Sequence, residues 1–152
     1  MIRLLLLSTV LLAACSPKPA ADVPADPPPT PPAATPAATD IAAHNWTLVQ
    51  LGDRPNPVGA GDKAPDLSFA SAESRASGFA GCNRFSGTYT VTGDSLTFGP
   101  LMSTKMACPG KDQVEVGYLA ALGAVVTYTI ADSTLILHGA GGTKLAELRH
   151  RD

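Results

Sequence analysis

Three cysteines, at positions 15, 82 and 108, carry the most distinctive chemistry in this chain of 152 residues. Cys15 directly follows Leu12-Ala13-Ala14, which is a branched residue and two small ones. That order is typical of the bacterial lipobox, in which the thiol accepts a diacylglyceryl group and small side chains fit the signal peptidase cleft. It predicts lipidation of Cys15; the alternative is an ordinary signal peptide with an incidental cysteine.

Cys82 and Cys108 remain as an even pair once Cys15 is acylated. In the oxidising compartment that a lipobox implies, such a pair is most simply a disulfide. The alternatives are two free thiols, or a redox or metal site. The sequence has no CxxC motif, and two cysteines without suitably placed histidines make a poor zinc site. We therefore predict a Cys82–Cys108 disulfide, with no bound metal and no cofactor.

Catalysis would require a nucleophile with a base, a pair of carboxylates or a set of metal ligands. The histidines are poorly placed for this, because His44 and His150 lie at the edges of the predicted domain and His138 precedes a glycine-rich turn. No GxSxG, HExxH or phosphate-binding loop motif is present in the sequence. We predict that the protein is not an enzyme. The net charge of −2 also argues against nucleic-acid binding, because proteins that bind nucleic acids usually carry a basic surface.

The segments before the domain are predicted to export and anchor it. Residues 1–14 have the short positive start and the apolar run of a signal peptide, and the run is too short to span a bilayer as a helix. Residues 15–43 contain nine of the fourteen prolines and no aromatic residue, which predicts a disordered Pro/Ala-rich tether. Ser16 follows Cys15 where Asp would favour inner-membrane retention. We expect a lipid anchor in the outer membrane, on the periplasmic face, with surface exposure left open.

Residues 44–152 predict one small α+β domain that is mostly β. Two hairpins are expected, one around Gly93-Asp94 and one around Asp132-Ser133, because two-residue turns at these points place large apolar side chains on a common face. The expected cross-strand pairs are Tyr89 with Phe98, Val91 with Leu96, Tyr128 with Leu137 and Ile130 with Leu135.

One helix is expected between the hairpins. Asp112 and Glu115 form a capping-box-like pair at its start, and Gly123 suits its end. Its apolar stripe consists of Val114, Tyr118, Leu119 and Leu122. Residues 52–65 are expected to form a loop, and the remaining predicted strands are Trp46–Leu51, Asp66–Ala70, Ser74–Phe79 and Lys144–Leu148. The result is a curled antiparallel sheet, or partial barrel, packed on the helix.

Two dense segments, Gly78–Tyr89 and Leu101–Pro109, together with Trp46-Thr47-Leu48, resemble the META domain, the family that includes the bacterial heat-shock protein HslJ. The motifs GCNRFSGTY and STKMAC and the helix at residues 115–122 occur in the family's order. The resemblance runs from about Trp46 to the C-terminus. It implies a small β-rich fold with one helix, often found in envelope lipoproteins, some of them associated with heat or antibiotic stress. It implies no catalytic residue, substrate or cofactor.

The two dense segments allow two interpretations. In the structural one, Gly81 and Gly87 permit tight backbone, Cys82 joins its loop to Cys108, and nearby hydroxyls bond to loop backbone. In the functional one, the disulfide holds a recognition surface rigid. Its residues are Asn83, Arg84, Ser103, Thr104 and Lys105.

Two functions follow from these expectations. The first is a non-enzymatic, stress-related lipoprotein whose domain binds an envelope protein as a chaperone-like or inhibitory module. The alternative is a lipid or small-molecule carrier with an apolar pocket inside the curled sheet. The large inward side chains expected on the hairpins fill a small barrel and favour the first.

Overall fold

The computed structural model describes residues 41–110 and 112–150. The predicted signal peptide at 1–14, the lipidation site Cys15 and most of the predicted tether lie outside the described residues. In the described part, no helix has both the length and the apolar character needed to cross a bilayer.

The described residues include ten strands, an α-helix of twelve residues and short 3₁₀ turns. The strands are β1 (Trp46–Leu51), β2 (Arg54–Pro55), β3 (Asp66–Ala70), β4 (Arg75–Phe79), β5 (Arg84–Thr92), β6 (Ser95–Phe98), β7 (Met102–Ser103), β8 (Thr127–Ala131), β9 (Thr134–His138) and β10 (Lys144–Arg149). The helix α1 spans Asp112–Gly123, as the capping and terminating residues predicted. The 3₁₀ turns lie at Ala60–Asp62, Ser71–Glu73 and Ala140–Gly142.

The sheet closes into an antiparallel barrel. Its strands run in the order β1, β3, β4, β5, β6, β8, β9, β10, and β10 returns to pair with β1, with Leu48 opposite Leu148. The sequence predicted a curled sheet or partial barrel, whereas the sheet in the structure closes completely. Closure between the first and last strands satisfies the backbone groups that two free edges would expose.

Both predicted hairpin registers are confirmed. Tyr89 lies opposite Phe98 and Val91 opposite Leu96 between β5 and β6. The same agreement holds between β8 and β9, where Tyr128 faces Leu137 and Ile130 faces Leu135. A slip of one residue would have turned every one of these side chains to the other face.

Two short strands lie where none was predicted. β2 interrupts the predicted loop at residues 52–65 and pairs with the end of β1. β7 lies in the segment before the helix and pairs with the start of β5. β5 itself begins at Arg84 rather than Thr88, because Arg84 already pairs with Phe79 of β4. The pairing of β2 is a local hairpin, whereas β7 and the start of β5 depend on contacts between separate segments. Segments of two residues carry no periodicity to predict either strand.

The barrel interior is filled by large apolar side chains. Trp46, Tyr118 and Tyr128 are completely buried in one continuous cluster, and α1 contributes Tyr118 from the side of the helix that also buries Leu122. Ile41 is also completely buried, and its carbonyl accepts a hydrogen bond from the Trp46 indole N–H at 2.8 Å. The folded region therefore includes Ile41, which precedes the predicted domain start at residue 44.

Candidate functional site

A disulfide joins the two dense sequence segments. The Cys82 and Cys108 Cα atoms lie 5.9 Å apart, and their sulfur atoms are bonded. Cys82 stands in the short connection between β4 and β5, whereas Cys108 precedes α1. The bond therefore fixes the connection of two barrel strands to the segment that leads into the helix.

Asn83 is the centre of a hydrogen-bond network beside that disulfide. Its Oδ1 accepts from the Met106 backbone N–H at 2.7 Å and from the Thr104 hydroxyl at 2.9 Å. Its Nδ2 donates to the Met106 carbonyl and to the Glu115 carboxylate, each at 3.2 Å. Only 5% of Asn83 is exposed, and all the polar groups of its side chain are used inside the protein. The sequence analysis placed Asn83 on a recognition surface; in the structure its side chain holds the surrounding loops together and has no free polar group to offer a partner.

Glu115 extends the same network to the helix. Besides its bond to the Asn83 side chain, its second carboxylate oxygen accepts from the Asn83 backbone N–H at 2.6 Å. The capping-box pattern predicted a local role for Glu115 with Asp112. The carboxylate instead reaches across to the β4–β5 connection, so that α1 is bound to the loop by a charge-assisted pair of hydrogen bonds.

Two glycines permit the close packing of these segments. Gly81 has φ +120°, and a Cβ there would lie 3.0 Å from Val114 Cγ1. A Cβ on Gly87 would lie 2.6 Å from the Pro100 carbonyl oxygen. The predicted need for tight backbone is confirmed at both positions, since a side chain at either would force neighbouring atoms to move.

The other predicted recognition residues do lie together on the outside of this network. Arg84, Thr104 and Lys105 are exposed, and Ser103 is half-buried. The Thr104 hydroxyl donates its hydrogen bond to Asn83 Oδ1. In the described part of the chain, neither the Arg84 guanidinium nor the Lys105 ammonium has an ion-pair or hydrogen-bond partner. Both cations are therefore available to solvent or to a ligand.

Exposed apolar side chains surround these cations, which the sequence analysis missed. Met102, Met106 and Val116 are 70, 66 and 67% exposed, and they are the three most exposed large apolar residues described. Methionine is flexible and polarizable, which suits it to binding surfaces. We use the term Arg84 surface for Arg84, Met102, Ser103, Thr104, Lys105 and Met106.

Two cavities border the Arg84 surface. One, of about 520 Å³, lies on the outer face of β4, β5 and β7, and Ser77, Arg84 and Met102 are among its lining residues. The other, of about 400 Å³, lies between residues 103–107 and the start of α1, and Val116 is part of its wall. β7 thus forms a ridge with a concave surface on each side.

The histidines occupy different positions. His44 and His150 stack with their ring centroids 3.6 Å apart, and both meet Trp46 edge-on. His138 is separate from them, with its Nε2 3.2 Å from the Thr129 hydroxyl. Across residues 41–110 and 112–150, no three His, Cys, Asp or Glu side chains are grouped so as to hold a metal ion.

Comparison with known proteins identifies a family but no activity. The sequence model of the META domain matches residues 39–152. A search of curated proteins gives no match.

Solved structures share the fold. An NMR structure of a protein from Burkholderia xenovorans is 29% identical, with a TM-score of 0.59 over 89% of this chain and 98% of its own. Another NMR structure is 23% identical, with a TM-score of 0.59 over 74% of this chain and 92% of its own. A crystal structure of a DUF4847 family protein from Bacteroides vulgatus is 13% identical, with a TM-score of 0.51 over 73% and 94%. The last two likenesses concern the fold alone.

Proposed function

The chain belongs to the META domain family, and on this premise we propose that it is a non-enzymatic envelope lipoprotein whose domain binds a protein partner through the Arg84 surface. In this proposal the partner is another envelope protein, and the domain acts on it as a chaperone-like or inhibitory module under stress. Cys15 supplies the lipid anchor, and the outer membrane is the proposed location.

The observation that carries the proposal is the contrast between the two sides of the same loops. Inside, the disulfide and the Asn83 network fix residues 82–84 and 103–108 against α1. Outside, the same segments present two exposed methionines and two cations that have no partner among the described residues. Exposed apolar side chains held in a rigid patch are unfavourable in water and favour contact with a partner, and the two cations beside them would add charge complementarity. Preorganisation also lowers the entropy lost on binding.

The packing of the barrel gives no support to the alternative of a lipid or small-molecule carrier. Such a carrier needs unfilled space in the interior. Here Trp46, Tyr118 and Tyr128 have no exposed surface and pack in one core cluster with the leucines of neighbouring strands. We therefore place the binding surface on the outside of the barrel.

The proposal is tested by site-specific photocrosslinking in cells. A crosslinking residue replaces Lys105 in the exported, acylated protein, and the matched control replaces Asp94, an exposed residue in the β5–β6 turn. We expect a discrete protein adduct from position 105 and none from position 94. The adduct should become weaker when Arg84→Ala is added.

The melting temperature of Arg84→Ala separates binding from folding. The Arg84 side chain is exposed and unpaired in the described chain, so its truncation should change stability by less than about 0.5 kcal/mol. A loss of the adduct with an unchanged melting temperature supports a recognition surface. A clear fall in melting temperature, or equal labelling from positions 94 and 105, contradicts it.

A further inference from the structure

Strand β7 has an unpaired edge. It runs antiparallel to β5 with Ser103 opposite Phe85, and the Thr104 N–H donates to the Arg84 carbonyl at 3.0 Å. Hydrogen-bonded and non-hydrogen-bonded pairs alternate along an antiparallel ladder. The neighbours of Ser103 therefore direct their backbone groups toward β5, and Ser103 directs its N–H and C=O away from it. Among the described strands, β5 is the only one that pairs with β7.

A groove runs along this edge. The cavity of about 400 Å³ has residues 103–107 on one side and the first turns of α1 on the other. Met106 and Val116, both largely exposed, stand on opposite walls. Because the disulfide and the Asn83–Glu115 bonds join the two walls, the groove is held open without a ligand.

The chemistry of the groove specifies what would occupy it. An open strand edge is completed by another extended backbone, which alone brings donors and acceptors at the strand spacing. Met106 and Val116 favour an apolar side chain on that backbone.

Three charged side chains line the groove: Lys105 on the β7 side, and Asp112 and Glu115 on the α1 side. In the described part of the chain Lys105 has no partner, whereas the Glu115 carboxylate is already occupied by Asn83. Asp112 is the first residue of α1, where the positive end of the helix dipole offsets its charge. A strand added to β7 would lie on the Lys105 side of the groove, so an acidic side chain next to the apolar one would complement Lys105.

We propose that the edge of β7 and the facing side of α1 form a peptide-binding groove, which takes up an extended partner segment with adjacent apolar and acidic side chains as an added strand. The inference rests on the proposed function and defines how the partner would be held. Main-chain hydrogen bonds at Ser103 would supply affinity, and contacts with Lys105, Met106 and Val116 would supply selectivity.

The test uses the exported chain with Cys15→Ser, which keeps the tether and the domain, and a display library of random peptides. Ser103→Pro removes the outward N–H and leaves the ladder with β5 intact, since proline is tolerated on an edge where its nitrogen faces away from the sheet. Ser103→Ala is the matched control, because it removes the hydroxyl and keeps the N–H. We expect selected peptides to carry apolar and acidic residues and to bind Ser103→Pro about tenfold more weakly, as for the loss of one hydrogen bond. Their affinity for Ser103→Ala should be unchanged.

Two measurements keep the test decisive if Ser103→Pro lowers the melting temperature. In the Cys15→Ser chain with no change at Ser103, bound peptide should slow hydrogen exchange at the Ser103 amide. Lys105→Glu changes only an exposed side chain that has no partner within residues 41–110 and 112–150, and it should weaken binding of the acidic peptides. Protection at Ser103 together with this charge dependence supports strand addition. Binding with no change at the Ser103 amide overturns it.

The remaining outcomes separate this inference from the proposed function. Peptides that bind Ser103→Pro normally but lose affinity for Arg84→Ala would overturn strand addition and leave the protein-binding function in place. A dimer that Ser103→Pro abolishes would assign the edge to a second copy and overturn the inference. Failure to select peptides, with binding to phosphatidylglycerol vesicles that Lys105→Glu removes, would assign the surface to lipid and overturn both.

Discussion

Tyr118 buries a hydroxyl without a hydrogen-bond partner in the described part of the chain. Burial, with a smaller contribution from the Asp66 carboxylate, raises the pKa of this phenol far above its usual value. The ring is useful to the core, where it packs edge-on against Phe85 at 6.0 Å. The hydroxyl, by contrast, has lost its water without gaining a partner, which is a cost to stability.

Tyr118→Phe should therefore leave the protein as stable as before or more stable, by up to about 1 kcal/mol at neutral pH. Above pH 10, the ordinary pKa of a tyrosine phenol, the unfolded chain loses this proton and the native state keeps it, so native stability falls as pH rises, by about 1.4 kcal/mol per pH unit. The variant lacks this contribution. Urea unfolding of both proteins from pH 7 to 11 measures the difference.

Tyr128→Phe is the control, since Tyr128 is equally buried but donates to the Gly93 carbonyl at 3.3 Å. It should destabilise the protein by about 1 kcal/mol. Stability curves for wild type and Tyr118→Phe that run parallel into the alkaline range would mean that the Tyr118 hydroxyl reaches water in the native state and titrates as it does in the unfolded chain.

At the scale of elements, what the sequence could predict depended on the distance between partners in the chain. The hairpin registers follow from residues in adjacent strands, such as Tyr89 and Phe98, whose alternation and turn positions are visible locally. Barrel closure depends on Leu48 meeting Leu148, and no local pattern encodes that pairing. The region behind the Arg84 surface also contains one feature that the sequence could predict and one that it could not. The disulfide was predictable from cysteine parity, but the burial of Asn83 follows from Glu115, a residue on a helix that packs against it only in the folded chain.

The disulfide should contribute substantially to the stability of the β4–β5 connection and of the segment before α1. Its cysteines are separated by 26 residues, and closing a loop of that length is worth roughly 3–4 kcal/mol in the chain-entropy model. Replacing both cysteines with alanine should lower the free energy of unfolding by about that amount in urea.

Asn83→Ala in the disulfide-bonded protein is the comparison for this experiment. It removes the side-chain bonds to Met106, Thr104 and Glu115 and leaves the backbone bond to Glu115 and the covalent link, so it should cost about 2–3 kcal/mol by itself. If the double alanine protein unfolds at the same urea concentration as wild type, the Asn83 network alone holds the loops. In that case the disulfide forms because the two cysteines lie close together, and it adds nothing to stability.

At the scale of the whole molecule, the proposed anchor and tether decide where the Arg84 surface can act. Proline-rich chain extends by about 3.1 Å per residue, so residues 15–43 would reach at most roughly 90 Å from the membrane. A rigid surface on such a tether meets partners throughout the space near one membrane. Because the partner and the domain then share that volume, even weak binding to an extended segment would be populated.

Cys15→Ser should release the protein from the membrane without changing the folded domain. Two or three acyl chains make dissociation negligible, since each buried CH₂ contributes about 0.8 kcal/mol and a single chain holds only weakly. The wild-type chain is therefore expected in the membrane fraction with the added mass of its acyl groups. The variant should appear in the soluble periplasmic fraction with the same melting temperature. Ser16→Asp is the control, because it should stay acylated but move from the outer to the inner membrane. If Cys15→Ser stays in the membrane fraction, its mass decides the cause: a chain that keeps residues 1–14 is held by its uncleaved signal peptide, whereas a cleaved chain makes the Arg84 surface the first candidate anchor.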